Sequence, residues 1–120
     1  MEHVYHGNGI IEIVEDGIIV NKIDDWADLF FDQKCLAIIL KRENLNKDFF
    51  ELKTGFAGEL LQKFSNYRKR LVIIGDFTDI KSKAFNNFIY ESNKTKQIIF
   101  VENIDCAMKT FENKTVLEDS

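Results

Sequence analysis

"CLAIIL", residues 35–40, is an unbroken apolar run of strand length between Gln33-Lys34 and Lys41-Arg42. No polar residue alternates within it, so it reads as a strand covered on both faces. "RLVIIG", 70–75, and "QIIFV", 97–101, have the same form. Each of the three is followed by a helical pattern. Phe56, Ala57, Leu60, Leu61 and Phe64 make the first apolar stripe. Ala84, Phe85, Phe88 and Ile89 make the second, and Ile104, Ala107, Met108 and Phe111 the third. Buried strands alternating with amphipathic helices specify an α/β layer structure, with right-handed crossovers where strands run parallel.

Upstream of residue 35 the pattern changes. "HVYH" is a short strand candidate. "GIIEIVEDGIIV", 9–20, has β-branched runs broken by Glu15-Asp16-Gly17, a hairpin or bulge signal. "DDWADLFF", 24–31, reads as a helix capped by Asp24. The expected order is β-β-α-β-α-β-α-β-α, a mixed sheet of about five strands with an N-terminal hairpin. Asn103 and either Ser82 or Asp79 are expected to cap the last two helices, and Asn93 to end one of them in a left-handed conformation.

The 120 residues fit one domain, expected over 1–112, with 113–120 a frayed tail. There is no proline, so turns fall to Gly, Asn and Asp. Charge is segregated. Residues 1–33 carry −7, residues 34–97 carry +6 and residues 98–120 carry −3. A basic middle could face an acidic partner or nucleic acid. The acidic total and the lack of a nucleic-acid motif favour a mixed solvated surface instead. Cys35 and Cys106 have no metal-ligand or CxxC spacing and read as two buried thiols in a reducing compartment. The N-terminus lacks a signal-peptide pattern and no apolar run approaches membrane-spanning length, so a cytoplasmic protein without a membrane partner is expected. His3 and His6 fall on opposite faces of a strand, so neither a metal site nor a histidine-based catalytic pair is expected. No cofactor motif is present.

"DFFELKTGFAGE", "LVIIGDF" and "FIYESN" resemble an uncharacterised bacterial family, domain of unknown function number 4180. The resemblance spans about residues 9–111 and implies no activity. The element order is also similar to the STAS fold of anti-sigma-factor antagonists and sulfate-transporter tails. That resemblance implies a regulatory protein-binding module. In that family a Ser before a Gly opens the helix after the buried strand, and a partner kinase phosphorylates it. Thr54-Gly55 stands at the matching place. Leu52 and Lys53 replace the family's Asp and first Ser, and the connection from Lys41 is longer.

Two site readings follow. In the first, Lys53, Thr54, Gly55, Phe56 and Glu59 form a partner-binding or switch surface at a helix start that favours negative charge. The plainer reading of Thr54 is a helix cap. Gly55 and Gly58 should be compensated by close packing of a neighbour. In the second reading, Glu43, Asn44, Glu51, Asp76, Thr78, Ser82 and Lys83 line a ligand pocket at loops 41–53 and 76–82, beyond the carboxyl ends of buried strands. There the plainer reading is a turn plus a cap. The sequence ranks a protein-binding module first, a small-ligand sensor or minor enzyme second, and a self-associating homodimer third.

Overall fold

A computed structural model describes residues 2–18 and 32–119, with side chains as far as residue 111. The described elements are β1 (His3–Tyr5), β2 (Ile10–Ile13), β3 (Ala37–Lys41), α1 (Phe56–Asn66), β4 (Arg70–Ile74), α2 (Lys83–Thr95), β5 (Ile98–Val101) and α3 (Ile104–Asp119). Three short 3-10 turns, Arg42–Asn44, Lys47–Phe50 and Leu52–Thr54, join β3 to α1. The helix expected over residues 24–31 lies outside the described residues. The last turns of α3 fall in the segment expected to fray.

The five strands lie side by side in chain order. β1 is antiparallel to β2, and β2 through β5 are parallel. Ile38, Ile39 and Leu40 sit opposite Leu71, Val72 and Ile73 in register. Every one of those six is buried. The runs in β3 and β4 are thus central strands with both faces covered, as their lack of alternation requires.

Alternate residues feed two cores. Ile11, Ile38, Leu40, Leu71, Ile73, Ile98 and Phe100 face α1 and α2, and meet Phe49, Leu60, Phe64 and Phe85 there. Ile10, Ala37, Ile39, Val72 and Ile99 face α3, with Ala107 between them and Ile104, Met108 and Phe111 at the margin. Phe49 is the centre of the first core. Its ring stands 6.0 Å from Phe85, 6.3 Å from Phe100 and 5.1 Å from Phe50, in the edge-on or tilted geometry that aromatic quadrupoles favour.

The hairpin is real but is turned elsewhere than at Glu15-Asp16-Gly17. Tyr5 pairs with Ile11 and His3 with Ile13, so the reversal is Gly7-Asn8-Gly9, all three at positive φ. The Asp16-Gly17 segment instead leaves the sheet. The buried Asn44 amide donates to the carbonyls of Glu15 at 2.9 Å and Gly17 at 2.8 Å. A second correction concerns Asn93. Helix α2 runs past it to Thr95, and Lys96 takes the left-handed cap at φ 62°. The Asn93 Oδ1 accepts from the Phe100 amide at 2.8 Å, tying α2 to edge strand β5. Ala84, expected on the apolar face of α2, is exposed. The caps at Ser82 and Asn103 form as expected, accepting from the amides of Phe85 and Cys106. No helix among the described residues is long and apolar enough to cross a membrane.

Candidate functional site

The start of α1 is built around Thr54, which stands one residue before the N-cap Gly55. Gly55 has φ 79°, a left-handed conformation that a β-carbon disfavours. The exposed Thr54 places its hydroxyl 2.7 Å from the Asp48 carbonyl and 2.8 Å from that of Glu51, and its Oγ1 accepts from the Phe56 amide at 3.3 Å. Thr54 therefore stitches the 3-10 turns to the helix as well as covering one first-turn amide. Phe56 is half-buried and lies edge-on to Phe49 at 6.4 Å, so its ring belongs to the core margin. Lys53, Glu59 and Glu51 are exposed. The expectation of close packing is met at neither Gly55 nor Gly58: among the described residues nothing lies within 4 Å of a β-carbon placed at either.

The connection 41–54 is mostly scaffold. Asn44 is fully buried, and its Oδ1 accepts from the Lys41 amide at 3.0 Å. With its two donor bonds to residues 15 and 17, both its N–H donors and its carbonyl oxygen are engaged within the chain. Glu43 is exposed and directed to no partner in the cavity described next. Arg42 reaches across to the 76–79 loop. Its guanidinium forms a forked pair with Asp79, at 2.6 and 3.0 Å, and donates to the Asp76 carbonyl. It also lies over the rings of Phe50 and Phe77, at 5.1 and 5.6 Å. Gly75 allows this approach, since a β-carbon there would meet the Arg42 Cβ at 2.9 Å.

Beside this clamp a cavity of about 680 Å³ opens beyond the carboxyl ends of β4 and β5. Phe77, Phe100 and Ile89 supply apolar wall, and Asp76, Thr78, Asn86 and Glu102 supply polar atoms. Asp76 Oδ1 accepts from the Thr78 amide at 3.0 Å and the Thr78 hydroxyl at 2.7 Å. Those bonds hold its carboxyl below the usual carboxylate range. The Arg42 pair does the same for Asp79. Asn86 donates to the Ile80 carbonyl at 3.0 Å, which fixes its amide at the cavity rim. Among the described residues no lysine or arginine lines the cavity.

Of the seven residues expected to line a pocket, Asp76 and Thr78 do so. Ser82 caps α2, Lys83 is exposed in its first turn, and Glu43, Asn44 and Glu51 lie outside the cavity lining. Asn86, Ile89, Phe77, Phe100 and Glu102 were missed. Glu102 had a signal, because it follows β5 as Asp76 follows β4, and the strand-end rule applies to both. Phe100 and Ile89 carried only core signals. Elsewhere His6 pairs with Glu12 at 2.8 Å on the hairpin. Among the described residues no group of three or more His, Cys, Asp or Glu could hold a metal ion.

Fold and cavity together define an α/β protein with an open mixed sheet and a concavity at the carboxyl ends of its parallel strands. The chain belongs to the family described as a domain of unknown function (DUF4180), whose model matches residues 5–111. Neither a curated protein nor a solved structure matches it.

Proposed function

We propose that the chain is a binding module whose ligand occupies the cavity at the ends of β4 and β5. One observation carries this reading. The cavity joins an aromatic and aliphatic wall to two carboxylates, Asp76 and Glu102, with no cation among the described lining residues. A mostly apolar concavity with a few fixed polar groups is the usual form of a small-ligand site. The chemistry suits a small molecule with an apolar body and a cationic or donor-rich end. The test is a titration of ¹⁵N-labelled protein with phenethylamine, with phenylacetate as the matched anion. Amide shifts should cluster at 75–78, 86–89 and 100–102 for the amine, and weaken in Glu102→Gln. Shifts that are scattered, or equal for the anion, would sink the reading.

This reverses the order in which the sequence ranked the alternatives. A regulatory module of STAS-like form, docking a protein through α1, remains the second reading because of Gly58. A glycine inside a helix is unfavourable by about 1 kcal/mol relative to alanine, and among the described residues nothing outside its own helix comes within 4 Å of a β-carbon placed there. Close approach of a partner backbone would account for it. Capture of the same protein by wild type and by Gly58→Arg would remove that support.

A further inference from the structure

At the opposite end of the sheet the chain forms a second concavity of different charge. Ile10, Ala37 and Arg70 are aligned across β2, β3 and β4, at the amino ends of these strands. The row lies on the face covered by α3. A cavity of about 340 Å³ opens there, bounded by Asn8, Ile10, Leu36, Arg68, Arg70 and Phe111. That volume is within the range of about 300–1,000 Å³ typical of small-ligand sites. Leu36 leaves 54% of its surface exposed, although it stands between the buried Cys35 and Ala37.

Two features set this place apart from ordinary surface. The first is charge. Neither Arg68 nor Arg70 has a side-chain hydrogen bond or ion pair among the described residues, and both border the same apolar hollow. The chain's third arginine, Arg42, is instead held by Asp79 and the Asp76 carbonyl. The second is backbone conformation. Helix α1 ends in a Schellman motif, with the Lys69 amide on the Phe64 carbonyl at 2.8 Å and the Arg68 amide on that of Ser65 at 3.1 Å. Arg68 takes the left-handed position of that motif at φ 57°, where glycine is favoured. Asn8, across the hollow, is also left-handed at φ 54°. Two of the three described non-glycine residues with positive φ therefore line one cavity. Residues held in sparsely populated conformations cluster at active sites and ligand clamps.

We propose that this hollow binds a small amphiphilic anion, an oxyanion carried on a short apolar body. The carboxylate or phosphate engages Arg68 and Arg70 through charge-assisted, forked hydrogen bonds. The apolar body lies on Ile10, Leu36 and Phe111. The site is independent of the acidic cavity at the carboxyl ends, and its ligand has the opposite charge.

The experiment is calorimetric and NMR titration of the full chain with four probes: octanoate, hexyl phosphate, octylamine and inorganic phosphate. Octanoate or hexyl phosphate should bind saturably and shift amides at 8–10, 36–37 and 68–70. Whichever of the two binds more tightly identifies the headgroup. Arg70→Gln should weaken that binding about tenfold or more, the effect of losing one charge-assisted bond. Arg68→Gly should weaken it similarly while raising the thermal midpoint, since glycine relaxes the backbone. That pairing separates loss of a ligand contact from loss of fold. Three results would overturn the proposal. They are no saturable binding of either amphiphile, binding unchanged in both variants, and inorganic phosphate or octylamine binding as well as octanoate.

Discussion

Asn44→Ala offers the most direct check on how the loops beyond β3 are held. The Asn44 side chain is fully buried and makes three hydrogen bonds, to the Lys41 amide and to the Glu15 and Gly17 carbonyls. Each bond contributes about 1 kcal/mol net, and each partly buried partner left without a substitute adds a further penalty of about 1–3 kcal/mol where water cannot reach it. A loss of about 3 kcal/mol is therefore expected. A 120-residue chain has a total of about 6–18 kcal/mol at the usual 0.05–0.15 kcal/mol per residue. The loss would be plain in urea denaturation, read as a lowered midpoint at unchanged slope. Asn44→Asp sharpens the test. It keeps the acceptor for Lys41 but turns a carboxylate oxygen toward two carbonyls. It should be less stable than Asn44→Ala at pH 7, and the gap should narrow in acid as the carboxylate takes up a proton. If Asn44→Ala falls within about 0.5 kcal/mol of wild type, the usual range for surface changes, the clamp between residues 15–17 and 41–44 has been misread.

Gly58→Ala should stabilise the chain by about 0.5–1 kcal/mol, because the position is helical and open. Gly55→Ala should destabilise it by about 1–2 kcal/mol because of its left-handed backbone, and the two are compared in one urea series. Asp79 is held below its ordinary value of 3.8, first by the Arg42 hydrogen bond. The unfolded chain then binds its proton more readily, so the pair's contribution is full above pH 3.8 and is lost as pH falls through the lowered folded value. Stability of Asp79→Asn should accordingly trail wild type at pH 7 and converge with it in strong acid, and added salt should shrink the gap. A thiol reagent should label the half-buried Cys106 of native protein before Cys35. Cys35 is wholly buried and its thiol is pushed up by desolvation, so it should react only on unfolding. Equal rates measured by mass spectrometry would contradict that burial.

Sequence alone fixed the layer architecture, and the reason is local. Uninterrupted runs such as 35–40 and 71–74 cannot be satisfied by a sheet with one wet face. The stripe at Ala57, Leu60 and Phe64 can only be one side of a helix. The Ser82 and Asn103 caps were equally legible, because a cap is a contact between residues three apart. Contacts of long separation were not. Asn44 looked like a ligand-facing polar residue because its partners lie 27 and 29 residues away. The Asp16-Gly17 signal was correct as a break but not as the hairpin, since only the pairing of Tyr5 with Ile11 assigns the turn to Gly7-Asn8-Gly9. Asp76 and Thr78 were visible from the strand-end rule, whereas Asn86, Ile89 and Phe100 reach the same cavity from α2 and β5 only once the sheet is assembled. Period and capping write secondary structure into the chain. Which polar side chains become scaffold and which face an open cavity depends on partners brought together only by folding.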